Sequence, residues 1–443
     1  MKIFLEGHEY KHDIELMARI FFSEQSVEFV ESEYEDDNDN DNEDVYIKSI
    51  LKEESYQLLA LTSIHHKGSH KEYKIEKQYS DRLDSLEYTK LCKTILKLSF
   101  YHAAKEVSTV QVPWGTLTGI RPTKIIHSLI EQGKSGEQIE KLLSEQYAVS
   151  SKKIELALEV ARNELKVLNQ SSANHIALYI GIPFCPSRCL YCSFVSNAVH
   201  KTQKFIEPYL NALVKEIHYT TRIIKDMNWK VESIYIGGGT PTVLESSQLE
   251  RLLDELCKDI DLGLIKEFTI EAGRPDTITS EKLAVIKKYD VGRISINPQT
   301  MNENTLKTIG RFHSPQEIVS SFQMARDLGF TNINMDVIAG LPGECLQMYQ
   351  NTLERLQKLN PENLTVHTMS IKRASRLNEK KDEYSITQAK TVNDMLDFTQ
   401  YFMQENGFEP YYMYRQKNIL GNLENVGYCK PGYECIYNIQ IME

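Results

Sequence analysis

The sequence predicts an α/β protein. Its centre is a parallel sheet curled into a partial barrel of six strand–helix units, (β/α)6, with an extra N-terminal α+β domain and a C-terminal helical and strand segment. Three observations predict it. Short apolar, β-branched runs begin near Ile176, Ser233, Glu267, Gly292, Asn332 and Asn363. Amphipathic stretches at residues 203–227, 247–259 and 315–328 lie between them, apolar at helical period. Cysteines, glycines and single polar residues then fall where the strands end. Units of this kind gather the loops after their strands on one rim, where ligands bind.

In chain order, residues 1–110 read as the small α+β domain. Residues 2–6 and 44–50 have strand character, and 86–104 space their apolar residues as a helix does. The acidic run at 31–44 repels itself and buries nothing, so it reads as a disordered surface loop. Residues 111–170 read as a helical connector in which Pro122 starts one helix and 154–168 carry an apolar stripe. The stretch Trp114-Gly-Thr-Leu-Thr-Gly-Ile-Arg-Pro-Thr reads as an interdomain turn, with a ligand contact as the alternative. The barrel occupies 171–380. Residues 381–443 form a C-terminal domain that opens with a helix near 387–406, and its final seven residues read as a strand with no cap or turn, as in an incomplete chain.

Composition narrows the function classes. The chain has 443 residues, 41% hydrophobic and 26% charged, enough for two or three domains and a large core. Its net charge of −11 argues against a general nucleic-acid binder. No apolar stretch approaches a bilayer span.

The strongest motif follows the first barrel strand. Cys185, Cys189 and Cys192 are spaced C-x3-C-x2-C, which chance would produce about 0.003 times in a chain with eight Cys. Three thiolates at this spacing hold three irons of a [4Fe-4S] cube and leave the fourth iron open to an amine and a carboxylate. S-adenosylmethionine (SAM) enzymes of the radical class work this way. Structural zinc or inert thiols are the alternatives, but residues 193–199 offer no fourth Cys or His. A disulfide framework suits short secreted chains, and free thiols point to a reducing cytoplasm.

Further strand ends add to this. Gly237-Gly-Gly-Thr-Pro-Thr lets a backbone approach a ligand without a Cβ in the way, and it matches neither a phosphate loop nor a dinucleotide fingerprint. Glu271, Gln299 and Asp336 place polar groups in or beyond apolar strands, where they face either a polar cavity or solvent. Arg311 fits a bidentate partner for a ligand carboxylate, or a surface salt bridge. His175, His313 and His367 lack metal-ligand spacing and are not assigned to iron.

Together, the run 179–194, residues 237–242 and 271–275, Gln299, Gly310-Arg311 and 336–342 resemble the oxygen-independent coproporphyrinogen III oxidase family of radical SAM proteins. The resemblance covers about residues 175–443 and makes the partial barrel a radical SAM barrel. The 114–123 stretch, with the extra N-terminal domain, is similar to the coproporphyrinogen dehydrogenase-like subgroup of Bacillus-type bacteria. It implies that Cys185, Cys189 and Cys192 hold the [4Fe-4S] cluster. Tyr179, Tyr191, Gly238, Gly239, Thr240, Glu271, Gln299, Arg311, Asp336 and Ser370 would line the SAM site. Glycine backbone would meet the methionine ammonium, Arg311 its carboxylate, and Asp336 or Gln299 the adenosine hydroxyls.

The implied activity is oxidative decarboxylation of two propionates of coproporphyrinogen III to vinyl groups, giving protoporphyrinogen IX. Cleavage of SAM to a 5′-deoxyadenosyl radical would initiate it. A tetracarboxylate substrate wants arginine partners, and Arg188, Arg373, Arg376 and Arg415 lie near the relevant segments. A flavodoxin- or ferredoxin-like protein would donate the electrons, in the cytoplasm. Two departures bear on the substrate: Phe194 stands where characterised oxidases have a fourth Cys, and Gly181 where they have His. Haem-trafficking chaperones share the Cys-x-Phe ending, so a haem-binding carrier is the alternative. Family members also continue past residue 443 into a Gly-rich segment, consistent with a truncated chain.

Overall fold

The computed structural model describes residues 1–23, 25–31, 45–119, 121–258, 260–416 and 418–442. Most of the acidic run, residues 32–44, lies outside them. The chain divides into two compact units, Met1–Leu158 and Glu159–Glu443.

The first unit is an α+β layer. Its strands are β1 (Lys2–Glu6), β2 (Glu28–Val30), β3 (Tyr46–Glu54), β4 (Gln57–His66) and β5 (Ser69–Gln78), in sheet order β2-β1-β3-β4-β5. β1 runs parallel to β2 and β3, and β3-β4-β5 is an antiparallel meander. Lys67 and Gly68 turn β4 into β5 with both φ positive, the backbone a two-residue hairpin demands. Helices α1 (Lys11–Phe21) and α2 (Ser85–Val107) share a core with the sheet at Ile3, Ile14, Leu58, Ile64, Leu96 and Phe100. Asp84 and Glu87 form a capping box that fixes the start of α2.

Three helices follow: α3 (Thr123–Glu131), α4 (Gly136–Tyr147) and α5 (Ser151–Leu168). Of the 114–123 stretch, residues 114–119 form a turn within the first unit and Thr123 begins α3. Trp114 is buried, and the Thr116 N–H donates to the Tyr147 carbonyl at 2.8 Å, closing over the end of α4. Gly115 is required there, because a Cβ would meet the Tyr147 oxygen at 2.0 Å.

The second unit is the expected half-barrel. Six parallel strands, β6 (His175–Ile182), β7 (Lys230–Gly238), β8 (Glu267–Gly273), β9 (Arg293–Ile296), β10 (Ile333–Ala339) and β11 (Asn363–Thr368), are laid side by side in chain order. Two antiparallel strands, β12 (Glu409–Tyr414) and β13 (Asn425–Cys429), extend the β11 edge to give an eight-stranded sheet. Between β6 and β11, the helices α6 (Ile206–Asp226), α7 (Ser246–Cys257), α8 (Ser280–Lys288), α9 (Glu303–Thr308), α10 (Pro315–Asp327) and α11 (Leu346–Gln357) return the chain. β7 to β11 read as near-continuous apolar runs because both their faces are covered, whereas β6 at the sheet edge is only partly buried.

One expectation is overturned. Residues 437–443 read as a strand because Tyr437, Ile439 and Ile441 alternate, yet Ile436–Met442 is a helix, α13, which follows α12 (Ala389–Glu405). The reason is tertiary. The Glu267 carboxylate accepts from the backbone N–H groups of Ile436 and Tyr437 at 2.8 and 3.2 Å, satisfying donors that a helix start leaves open. Gln440 then accepts from the Ser233 hydroxyl at 2.7 Å.

Candidate active site

The loop that leaves β6 carries the three cysteines. Phe184–Cys185 pairs with Asn197–Ala198 in a short parallel ladder, and the Cys192 N–H closes a turn on the Cys189 carbonyl at 3.2 Å. The glycine segment after β7 lies directly beneath. Gly239 and Thr240 donate backbone N–H groups to the carbonyls of Ile182 and Phe184, each at 2.8 Å. A Cβ on Gly239 would sit 2.5 Å from the Phe184 oxygen and 2.9 Å from Cys185 Sγ. The absence of a Cβ at Gly238 and Gly239 therefore lets this segment pack against the loop that carries the cysteines. Thr240 is buried, with its hydroxyl 3.6 Å from Cys185 Sγ.

The three thiols are neighbours close enough to perturb one another. Burial pushes the thiols of Cys185 and Cys192 up, and the adjacent cysteines add to the rise. A bound cation favours the thiolate form of sulfurs so placed. Among the described residues no group of three or more His, Cys, Asp or Glu converges on a single metal ion. A cubane asks for a different arrangement, with each thiolate on its own iron. The donor set and the glycine cradle fit a [4Fe-4S] cluster.

Other strand ends converge on this rim. Arg311 is buried, donates to the Asn297 carbonyl, and lies against Tyr191 and Cys189; burial works against its charge, but contacts with these two neighbours outweigh that and raise its guanidinium above the ordinary value. Its Nε has no hydrogen-bond partner. Gln299, just past β9, sits at φ +68°, with its N–H on the Asp336 carbonyl and its carbonyl receiving the Ile338 N–H. A non-glycine residue held in the left-handed region is often found at functional sites. Asp336 accepts from Asn334 Nδ2 at 2.7 Å and lies 3.7 Å from His367 Nε2. Burial would raise its carboxyl, but His367 and Asn334 outweigh that and hold it below its usual value. The other His367 nitrogen meets the Tyr414 hydroxyl at 3.0 Å.

Glu271 behaves differently. Its carboxylate lies deep among protein atoms although the residue keeps some solvent access. Burial, aided by the charge of Asp336, pushes it up to about 7, against the Tyr235 hydroxyl that donates to it at 2.8 Å. Tyr179, half exposed on β6, stacks on Tyr235 and Tyr437 at 6.1 and 5.8 Å. Ser370 lies just beyond β11, bridged to Ile419. Of the thirteen residues named from sequence, Tyr179, Glu271 and Asp336 lie within their strands, Gly238 ends one, Arg311 lies between α9 and α10, and the others lie on the segments that follow strand ends.

Sequence reading missed the groups that hold the rim together. Arg274, Asp276, Ser187 and Gly310 form a hydrogen-bonded chain beside the cysteine loop. Of the histidines left unassigned to iron, His313 and His367 each lie 3.7 Å from a carboxylate near this rim, whereas His175 lies 3.3 Å from Glu232 at the opposite end of its strand. Of the four arginines considered for substrate, Arg415 is buried on the carbonyls of Asn422 and Leu423, and Arg188 donates to the Ala374 carbonyl. Arg373 and Arg376 are exposed. A cavity of about 380 Å³ lies at the other end of the strands, lined by Glu232, Glu267, Arg293 and Asn332 among others. Strand N-terminal ends are the stability face of such barrels, so the site is assigned to the cysteine rim.

This fold and this site define a radical SAM protein, and residues 179–356 match the model of the Radical SAM superfamily. The chain is 42% identical to the oxygen-independent coproporphyrinogen-III oxidase-like protein HemZ of Bacillus subtilis over 370 residues, 83% of this chain and 74% of that protein. The heme chaperone HemW of the same organism is 36% identical over 194 residues, 44% of this chain and 50% of that one. The oxygen-independent coproporphyrinogen III oxidase of Salmonella typhimurium is 32% identical over 191 residues, 43% and 41% of the two chains. The chain belongs to the oxygen-independent coproporphyrinogen III oxidase-like family, and membership of the superfamily implies a [4Fe-4S] cluster and SAM.

Proposed function

We propose that this chain is a radical SAM oxidoreductase of porphyrin metabolism that oxidatively decarboxylates two propionates of coproporphyrinogen III to vinyl groups without oxygen, each losing a hydrogen atom to the SAM-derived radical and a second electron to an external acceptor. The observation that carries the reading is the meeting of three thiols, a glycine backbone and a buried arginine with a free Nε on one strand-end rim. Cys185, Cys189 and Cys192 would hold the cluster. Gly238, Gly239 and Thr240 would face the SAM ammonium, Arg311 the carboxylate, and Gln299 and Asp336 the ribose. Tyr179, Tyr191, Glu271 and Ser370 complete the lining. Bound together, cluster and SAM supply one-electron abstraction of hydrogen. The chain's own residues orient SAM and keep water from it. A flavodoxin- or ferredoxin-like donor in the cytoplasm would supply electrons; among the described residues no helix is long and apolar enough to cross a membrane.

A second reading is favoured by one position. Phe194, in place of a fourth cysteine, is 67% exposed beside the cysteine loop and offers an apolar surface, as a haem carrier would need. Anaerobic incubation of the reconstituted protein with SAM, reductant and coproporphyrinogen III separates the two. Protoporphyrinogen formation supports the oxidase; stoichiometric haem binding without decarboxylation replaces it with the carrier.

A further inference from the structure

Arg274 is 3% exposed, and every one of its donor nitrogens is engaged. Nε and one terminal nitrogen grip both oxygens of Asp276, at 2.9 and 2.7 Å, so the buried charge is neutralised in a bidentate pair. Burial would raise the Asp276 carboxyl, yet His313 and Arg274 hold it well below its ordinary range. The other terminal nitrogen reaches across to Ser187, meeting its hydroxyl at 2.7 Å and its carbonyl at 3.2 Å.

Ser187 lies between the first two cysteines of the motif. Its hydroxyl accepts from Arg274 and donates onward to the Gly310 carbonyl at 2.9 Å. A second bond, from the Leu190 N–H to the Ile309 carbonyl at 2.9 Å, ties the same loop to the same segment. The residue after Gly310 is Arg311. One guanidinium thereby links the turn after β8, the Cys185–Cys189 span and the segment that presents Arg311. Only arginine has the planar fork for this; lysine keeps the charge and loses the geometry.

We propose that Arg274 is a positioning residue for SAM. Acting through Ser187, it sets the cysteine loop in register with Arg311, so that the open iron and the carboxylate partner address one and the same SAM molecule. The inference rests on the cluster and SAM assignment made above.

The test uses the full chain, reconstituted anaerobically, as wild type, Arg274→Lys and Ser187→Ala. Iron content, circular dichroism, KM and kcat for dithionite-driven SAM cleavage, and the EPR spectrum of the reduced cluster with and without SAM are measured. Both variants are expected to keep near-normal iron and fold. KM for SAM should rise about tenfold in Arg274→Lys and about threefold in Ser187→Ala, as expected for lost hydrogen bonds, with smaller falls in kcat. The SAM-induced change in g-values should shrink in both. A merely structural role lowers apparent kcat through the folded fraction and leaves KM unmoved; that result overturns the inference, as does an unchanged EPR response. If Arg274→Lys loses the cluster altogether, Ser187→Ala decides on the same two readouts. Wild type that takes up no cubane overturns the assignment beneath, and this inference falls with it; wild type that cleaves SAM while both variants match it overturns the inference alone.

Discussion

The Tyr235 hydroxyl donates to Glu271 Oε1 at 2.8 Å, joining adjacent strands on the inner side of the half-barrel. A donated hydrogen bond favours the charged carboxylate, yet burial and the nearby Asp336 dominate and push Glu271 up to about 7.

The sign of the resulting pH dependence follows from linkage. A carboxyl with its folded value raised above the unfolded 4.5 binds more protons when folded, so its contribution to stability falls as pH rises from about 4.5 to about 7. Glu271→Gln keeps an acceptor for Tyr235 and removes the titration. We expect the variant to match wild type at pH 4.5 and to exceed it by about 1–2 kcal/mol at pH 8, discounted from the full shift because the residue keeps some solvent access. Thermal melts at the two pH values check this; an advantage that is equal at both would contradict it.

Cys189 is buried at the turn that carries Cys192. Cys189→Ala removes one of three thiolates, so iron uptake should drop sharply and SAM cleavage should fall below detection, while the circular dichroism spectrum stays that of wild type. Iron analysis with an assay for 5′-deoxyadenosine reads both. Retained cleavage would remove this residue from the ligand set.

Gly239→Ala tests the cradle. Its Cβ would press on backbone oxygen 2.5 Å away and on Cys185 Sγ, neither of which yields cheaply. We expect about 1–3 kcal/mol of destabilisation and poorer cluster uptake. Gly292→Ala, with nothing within 4 Å, is the control and should leave cluster uptake untouched.

Glu267 holds the start of α13 from a residue far away in sequence, and its role is separable from the site. Glu267→Gln keeps one acceptor oxygen and should cost about 1.5–3 kcal/mol, with faster amide hydrogen exchange over residues 436–442. Hydrogen exchange by mass spectrometry localises the change; uniform exchange across the second unit would mean that the helix is held otherwise.

That helix also shows where sequence stops being legible. The strands β7, β8, β10 and β11 could be read because both faces are buried and their apolar runs are nearly unbroken. β5 could not: nine of its ten residues are exposed, and Lys, Glu and Gln mask any alternation. At the site, thiols, glycines and single carboxylates announce themselves because their spacing is local. The Arg274 to Ser187 link spans 87 positions, and the Tyr235 to Tyr437 stack joins a strand to a helix whose start Glu267 caps from a distant strand. No periodicity encodes either. What the pattern carries is which strand ends meet; what it lacks is which side chains hold them there.

The same distinction sorts the arginines. Arg415 is 3% exposed, burial lowers its guanidinium to about 10, and it donates to the carbonyls of Asn422 and Leu423. Arg415→Ala should therefore destabilise by about 1.5–3 kcal/mol and act through folding. Arg373 and Arg376 are exposed, on a segment tied to the cysteine loop by the Leu377 N–H on Leu190 and by Arg188 on Ala374. Arg373→Gln and Arg376→Gln should leave stability within about 0.5 kcal/mol and raise KM for a tetracarboxylate substrate several-fold without altering uncoupled SAM cleavage. Melting curves and anaerobic kinetics with coproporphyrinogen III distinguish the two classes. If both exposed substitutions leave KM where it was, the substrate carboxylates are received by other residues, and the segment that these arginines occupy serves the loop alone.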